Sequence, residues 1–157
     1  VELTGFGATL INMAVTGLIM TTYILLVGGD LNGPTIGGIF TVIGFAAFGK
    51  HPGNVLPILG GIYLASLSKT VTANDAAMLL AALFGTTLAP IAGKYGWFWG
   101  ATAGFIHSSA VQSVAVLHGG LNLYNNGFAA GIVAAVLIPV IEMAKEYKSK
   151  GSLDKNT

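Results

Sequence analysis

Charged residues are almost absent from the long central part of this sequence. Between Leu3 and Ile141 the charged positions are Asp30, Lys50, Lys69, Asp75 and Lys94. The chain is 8% charged and 54% hydrophobic, whereas an average soluble domain has about 25% charged residues. So few charges cannot cover a surface that faces water, so we expect lipid to be the solvent. Since only helices and closed barrels satisfy the backbone in lipid, we predict an all-α integral membrane fold.

The apolar runs divide the chain into six predicted helical elements. Four are long (residues 5–27, 73–92, 95–117 and 127–143), and two have 14 residues each (35–48 and 54–67). A straight crossing of a bilayer takes about 20 residues. The short pair, which flanks the polar break at residues 49–53, therefore either crosses twice or forms a re-entrant hairpin. We assign residues 1–144 to a transmembrane domain and residues 145–157 to a charged, flexible tail.

The lysines predict the orientation of the chain. Lys145, Lys148 and Lys150 favour a cytoplasmic C-terminus, and counting back through six elements puts Lys94 and Lys50 on the same side. We expect a prokaryotic inner membrane. The sequence begins with Val and not Met, so we expect an N-terminal portion of the same protein to precede it and to contribute to the path.

Glycine spacing predicts close contact between helices. Gly96, Gly100 and Gly104 form a double GxxxG ridge, and two further GxxxG pairs begin at Gly33 and Gly127. Small residues let helix backbones approach where lipid provides no hydrophobic drive. We favour packing within the chain, and a homo-oligomer is the alternative.

A weak internal repeat is also visible. The five residues that begin at Phe6 resemble the five that begin at Phe84, and Gly28-Gly29 resembles Gly119-Gly120 in its spacing to a following Asn-Gly pair. Elements one and four would then run in opposite directions, as an inverted-repeat fold requires.

Three groups of polar residues are candidates for binding a small solute. The first is Asn32 with Thr35 at the start of a short helix, where free N–H groups can bind a carbonyl or an anion. The second is a stripe of Thr102, Ser109 and Gln112 on one helical face. Their alternative roles are a helix cap for the first group and hydrogen bonds between helices for the second.

The third group lies between the last two elements and contains Asn122, Asn125 and Asn126. Amide side chains both donate and accept hydrogen bonds, which suits a neutral polar solute. The alternative is a turn that caps the sixth helix.

Four residues are candidates for gating or proton relay, namely Lys50, His51, His107 and His118. Lys50 and His51 would be a buried cation and a titratable imidazole at the tip of a re-entrant hairpin, or a surface anchor if the short elements cross the membrane. His107 projects away from the polar stripe on its helix, where a packing role is the alternative.

Several classes of function are disfavoured. No nucleophile elbow, HExxH motif or phosphate-binding glycine loop is present, so we do not expect an enzyme, a metal site or a cofactor. A net charge of +1 without arginine gives no reason to expect a nucleic-acid partner, and the absence of cysteine excludes disulfides.

Two resemblances to known families can be stated. The run from Phe48 to Pro57 and the run from Leu121 to Phe128 resemble an uncharacterised family of prokaryotic polytopic membrane proteins, catalogued as a domain of unknown function. Most of this chain would be the C-terminal portion of such a protein. Residues 32–39, NGPTIGGI, are more distantly similar to the urea-channel family, in which an Asn-Asn-Pro stretch precedes a small-residue helix. That similarity implies a helical channel for a small amide-like solute, although Gly33 replaces the second Asn and no pore-lining Glu is evident.

The sequence therefore predicts a transmembrane channel or transporter for a small polar solute. The alternative is a membrane scaffold or subunit that transports nothing, in which the same polar residues and glycines only hold helices together.

Overall fold

The computed structural model describes residues 5–68, 71–114 and 122–153, and throughout these ranges the regular structure is helical. In chain order the helices are α1 (Phe6–Leu26), α2 (Gly33–Ala46), α3 (Pro52–Leu67), α4 (Ala76–Gly85), α5 (Ala89–Tyr95), α6 (Trp97–Val114) and α7 (Asn122–Leu153). A 3₁₀ turn, Thr86–Leu88, joins α4 to α5, so these two helices form one stretch of 20 residues.

Within these ranges, three helical stretches are long and apolar enough to cross a membrane: Phe6–Leu26, Ala76–Tyr95 and Asn125–Lys150. Helices α2 and α3 are apolar but shorter, with 14 and 16 residues. Their lengths are about 21 and 24 Å at 1.5 Å per residue, against a hydrocarbon core of about 30 Å. The predicted all-α membrane fold with two short helical elements is confirmed.

Helix ends follow local chemistry. Asn32 caps α2, since its side chain accepts a hydrogen bond from the Thr35 N–H at 3.2 Å and the Thr35 hydroxyl accepts from the Asn32 N–H at 2.9 Å. α3 begins at Pro52, two residues before the predicted start, because proline suits the first turn of a helix.

The last helix is longer than expected. α7 continues to Leu153, so the described part of the predicted tail is helical; the flexibility of residues 145–157 stays a prediction. The charged residues there are spaced for pairing along a helix, and Lys150 Nζ lies 2.7 Å from Glu146 Oε1, one turn away.

Successive elements alternate in direction. Asn12 of α1 contacts Ala46 at the end of α2, and Gly17, further along α1, contacts the earlier Ile43, so these helices are antiparallel. Contacts of Ile62 with Gly85 and of Asn54 with Gly93 make α3 antiparallel to the α4–α5 stretch. α6 is parallel to α3, and α7 runs back along α6 from Asn126 to Glu142. α1 and α4 consequently run in opposite directions, which an inverted repeat needs; the repeat itself stays a prediction.

Glycines bring α3 and α6 into close contact. A Cβ on Gly104 would overlap the Ile58 carbonyl, and one on Gly61 would overlap the Ala101 carbonyl. A Cβ on Gly100 would meet Ala92 of α5 at 2.5 Å. The predicted packing within the chain is therefore present at Gly100 and Gly104. Gly96 instead ends α5 with φ 96°, and a Cβ there would meet nothing within 4 Å.

One end of the bundle collects the lysines of the described chain. The alternation of helices places Lys50, Lys94 and the last turns of α7 at the same end. There Lys94 Nζ lies 2.9 Å from Glu142 Oε1, and the Tyr95 hydroxyl donates to the same carboxylate. The lysines predicted to share one side thus lie at one end of the bundle, and the side of the membrane that this end faces stays a prediction.

Candidate functional site

The turn between α2 and α3, residues 47–51, is set back from the end of the bundle. Asn12 Nδ2 donates to the Ala46 carbonyl at 2.9 Å and to the Lys50 carbonyl at 2.7 Å. Asn12 is six residues beyond the start of α1 at Phe6, which corresponds to about 9 Å along the helix axis. We call residues 47–51 the recessed turn.

Lys50 extends from the recessed turn toward the middle of the bundle. Its Nζ donates to the Thr86 hydroxyl at 2.8 Å and lies 5.0 Å from the centre of the Phe45 ring. Thr86 is in the 3₁₀ turn midway along the stretch Ala76–Tyr95. The Lys50 side chain thus points inward, although a lysine near a membrane surface normally extends its ammonium toward water.

His107 of α6 lies against Gly85, the residue just before the 3₁₀ turn that joins α4 to α5. The ring is completely buried, and a Cβ on Gly85, which precedes Thr86, would come within 2.8 Å of His107 Cδ2. His107 Nε2 lies 3.1 Å from Asn126 Oδ1. Because an amide oxygen only accepts, Nε2 is the donor in this bond and carries the proton.

Asn125, which precedes Asn126 in α7, is also buried. It is 0% exposed, and among the described residues neither its Nδ2 nor its Oδ1 has a hydrogen-bond partner; His107 Nδ1 is also unpartnered there. Buried polar groups in proteins nearly always have a partner, so each exception needs an explanation. We call His107, Asn125 and Asn126 the polar cluster.

The recessed turn and the polar cluster meet at the 3₁₀ turn. Lys50 contacts Thr86, and the neighbouring Gly85 contacts His107, which bonds to Asn126. The result is a series of polar groups from one end of the bundle to its interior, interrupted by Gly85 between Thr86 and His107 and bordered there by the buried side chain of Ile62. It offers donors and acceptors but is closed, since His107, Asn125 and Asn126 are at most 1% exposed.

A cavity of about 380 Å³ opens beside the Lys50 end of this chain of groups. The described residues that line it are Phe45, Phe48, Gly49, Lys50, Asn54, Thr87, Ala89 and Pro90. In the parts of the chain that are described, no three His, Cys, Asp or Glu side chains are grouped to hold a metal ion.

The other predicted solute-binding residues lie elsewhere. Asn32 and Thr35 are at the opposite end of α2 from the recessed turn, and their polar atoms form the helix cap, with the Thr35 hydroxyl also donating to the Asp30 carbonyl at 2.7 Å. This is the alternative role that the sequence left open for them. Their assignment as solute ligands stays a prediction that this geometry does not favour.

The stripe on α6 faces away from the polar cluster. Ser109 is exposed, and the Thr102 hydroxyl donates to the Phe98 carbonyl of its own helix at 2.9 Å. Gln112 is half-buried; its Nε2 donates to the Ser108 carbonyl of its own helix at 2.9 Å and to Met78 Sδ of α4 at 3.5 Å, which is a contact between helices. Hydroxyls and amides that bond to their own helix need no pore to satisfy their hydrogen bonds. On α6, His107 lies in the interior of the bundle, and the stripe is not part of that interior.

The remaining predicted residues divide into two groups. His51 is exposed at the start of α3, where its N–H donates to Asn54 Oδ1 at 2.9 Å. His118 and the side chain of Asn122 lie outside the described residues. Of the predicted site residues, the structure therefore joins His107 to Asn126 by a hydrogen bond, buries the adjacent Asn125, and places Lys50 against Thr86, one residue from the Gly85 that His107 contacts.

Sequence reasoning did not select Thr86 or Gly85, which join the two halves of the site. Thr86 is one of two adjacent threonines in the middle of an apolar run and follows a glycine. That pattern indicates an interruption of a transmembrane helix, but it does not predict which side chain from another helix contacts the interruption.

These features define an integral membrane protein, a helical bundle that holds a buried polar cluster and an inward-pointing lysine. Within that class, the chain belongs to the family described as "Protein of unknown function (DUF1576)", whose model matches residues 1–143. The resemblance to an uncharacterised family is thereby confirmed.

No curated protein and no solved structure matches the chain. The family description carries no activity, so the functional conclusion depends on the site alone.

Proposed function

We propose that this chain forms part of the path of a membrane channel or transporter for a small polar solute. The path follows the Lys50–Thr86 contact and then the polar cluster of His107, Asn126 and Asn125. The polar cluster would bind the solute, and Lys50 with Thr86 would line the approach from the lysine-rich end. We further propose that this end faces the cytoplasm, because lysines accumulate on that side of membrane proteins.

The observation that carries the proposal is the unpartnered amide of Asn125. A buried donor or acceptor without a partner costs about 1–3 kcal/mol, and an amide donor, an amide acceptor and one imidazole nitrogen have none within the part of the chain that the structure describes. A solute with both donor and acceptor atoms, such as an amide or an alcohol, would satisfy them. A chain selected only for helix packing would do better with an apolar residue at position 125.

The position of Lys50 supports the same reading. A lysine at the centre of a transmembrane helix costs about 2.5–3.5 kcal/mol on insertion scales, and the Lys50 ammonium contacts the midpoint of a 20-residue apolar stretch. Ionisable groups at such positions commonly mark solute or ion pathways. The recessed turn is the type of short-helix junction from which transporter sites are built.

Solute flux into proteoliposomes tests the proposal. The purified protein is reconstituted, and the entry of urea, acetamide and glycerol is followed by light scattering after an osmotic step. We expect at least one solute to enter faster than into protein-free vesicles, and Asn125→Leu to abolish that difference. Thr41→Val is the matched control, because the Thr41 hydroxyl is exposed and bonds only to its own helix, at the Gly37 carbonyl.

A scaffold without transport is the second candidate, favoured by the close contact that Gly61 and Gly104 create between α3 and α6. Under that function Asn125→Leu changes no flux, and no solute shifts the melting temperature of the protein. A ligand at 100 times its dissociation constant would add about 2.7 kcal/mol to the free energy of unfolding, so a melting screen separates the two candidates.

A further inference from the structure

The Lys50 ammonium has no carboxylate partner anywhere in the described chain. The ion pairs there join Lys94 to Glu142 and Lys150 to Glu146. Lys50 instead has one hydrogen bond, to the Thr86 hydroxyl, and the face of the Phe45 ring. The Thr86 hydroxyl itself donates a hydrogen bond to the Leu83 carbonyl at 2.6 Å. A lysine has three N–H donors, so two of them have no hydrogen-bond partner among the described residues.

The cavity beside Lys50 has the shape and lining of a ligand site. Its volume of about 380 Å³ is within the range of about 300–1,000 Å³ that is usual for small-molecule pockets. The described residues that line it include no Asp or Glu. Their polar atoms are the Lys50 ammonium, the Asn54 amide and the Thr87 hydroxyl, set among the aromatic rings of Phe45 and Phe48.

Asn54 is held so that a donor stays available. Its Oδ1 accepts from the His51 N–H at 2.9 Å, and its Nδ2 donates one hydrogen to the Gly49 carbonyl at 2.9 Å. The second Nδ2 hydrogen remains for a ligand. Because the Asn54 oxygen is already used, this side chain offers the cavity a donor and not an acceptor.

An ammonium that has unused N–H donors, in a cavity whose described lining includes no carboxylate, binds negatively charged oxygen atoms preferentially. Hydrogen bonds between an ammonium and a carboxylate or phosphate are shorter and about twice as strong as those between neutral groups. A neutral amide or alcohol would leave the Lys50 charge uncompensated. We propose that this cavity is a binding site for a small oxyanion, a carboxylate or a phosphate, held by Lys50 with Asn54 and Thr87 as donors.

This inference goes beyond the proposed function and does not need it, since an oxyanion binds at Lys50 whether or not any solute crosses the bundle. The oxyanion could be free in solution, or it could be the phosphate of an anionic lipid whose acyl chains contact the exposed rings of Phe45 and Phe48. The chemistry at Lys50 is the same in both cases, and the experiment has an arm for each source.

Equilibrium binding to the purified full chain tests the site. In the first arm, inorganic phosphate and acetate are titrated into detergent-solubilised protein at constant ionic strength, with chloride as the reference anion, and the melting temperature is followed. In the second arm, nanodiscs of phosphatidylcholine are compared with nanodiscs that also contain phosphatidylglycerol. The variants are Lys50→Met, which removes the ammonium and keeps most of the unbranched side chain, and Lys94→Met, which removes an exposed lysine at the same end.

We expect the wild type and Lys94→Met to be stabilised by the free anions or by phosphatidylglycerol. Lys50→Met should bind about tenfold more weakly or not at all, because a hydrogen bond to a charged group is lost. Thr87→Val, at an exposed position on the cavity wall, should weaken binding by a smaller factor. If phosphatidylglycerol alone stabilises the wild type, and Lys50→Met loses this stabilisation, the site is supported and its oxyanion is the phosphate of a lipid headgroup.

Equal binding by Lys50→Met and the wild type would overturn the site. It would also be overturned if phosphate, acetate and phosphatidylglycerol all left the wild-type melting temperature at its value in chloride and phosphatidylcholine. Neither result bears on the flux measurement, so failure of this site and failure of the proposed transport are distinguishable.

Discussion

The imidazole of His107 lies directly against the bare Cα of Gly85. A Cβ at Gly85 would come within 2.8 Å of His107 Cδ2 and 2.9 Å of Ile62 Cδ1. The ring therefore occupies space that only glycine leaves open, one residue before the break between α4 and α5. This contact places the polar cluster next to the residue that Lys50 binds.

Gly85→Ala should move His107 and loosen the cluster. Overpacking of a well-packed core costs about 1–3 kcal/mol, so we expect a lower melting temperature and loss of any solute flux. Gly37→Ala is the control, since a Cβ at that exposed position would meet nothing within 4 Å. An unchanged melting temperature in Gly85→Ala would contradict the contact.

The glycines between α3 and α6 should be the least replaceable in the chain. Gly104→Ala would bring a methyl group onto the Ile58 carbonyl, and backbone cannot move aside as a side chain can. We expect destabilisation at the upper end of about 1–3 kcal/mol or beyond, measured by thermal melting in detergent. Gly131→Ala, whose Cβ would have open space, should melt as the wild type does; equal loss in both variants would count against the packing.

Asn125→Leu should stabilise the protein while it removes function. Two buried atoms without partners disappear, and each costs about 1–3 kcal/mol. A raised melting temperature together with lost flux is the signature of a residue kept for binding. A lowered melting temperature would mean instead that Asn125 has a structural partner, and the solute path would lose its main support.

Asn12→Leu should release the recessed turn. The substitution removes the hydrogen bonds to the Ala46 and Lys50 carbonyls, each with a net contribution of about 0.5–1.5 kcal/mol. We expect faster amide hydrogen exchange in residues 47–51 and weaker oxyanion binding at Lys50. Thr41→Val provides the comparison, and the same exchange rates in both variants would show that Asn12 does not position the turn.

The orientation can be tested with single cysteines, because the natural chain has none. Leu31→Cys lies between α1 and α2, and Tyr147→Cys lies in α7 at the lysine-rich end; both side chains are exposed. A membrane-impermeant maleimide applied to intact cells should label Cys at position 31 and not at position 147. The reverse pattern would place the lysine-rich end outside.

The sequence was sufficient for the class of fold. The scarcity of charge and the lengths of the apolar runs predicted six helical elements of which two are short, because hydrocarbon imposes the same requirements on every helix. The ends of the helices were less predictable. α7 begins at Asn122 and not at Gly127, and it continues past Met143. Ion pairs such as that of Glu146 with Lys150 stabilise a helix in this charged part of the chain, where an apolar pattern does not predict one.

What the sequence by itself determined is the class of fold and a set of candidate polar residues, since residues such as His107 and Asn126 stand out in a chain that is only 8% charged. The tertiary structure alone decided which of them meet and which face outward. The stripe of Thr102, Ser109 and Gln112 has the same helical spacing as a pore lining would, and its hydroxyls and amide can turn back to their own helix. The contact of Lys50 with Thr86 joins residues 36 positions apart. Such a contact depends on how deeply the turn is set into the bundle, and the spacing of residues along one helix does not encode that depth.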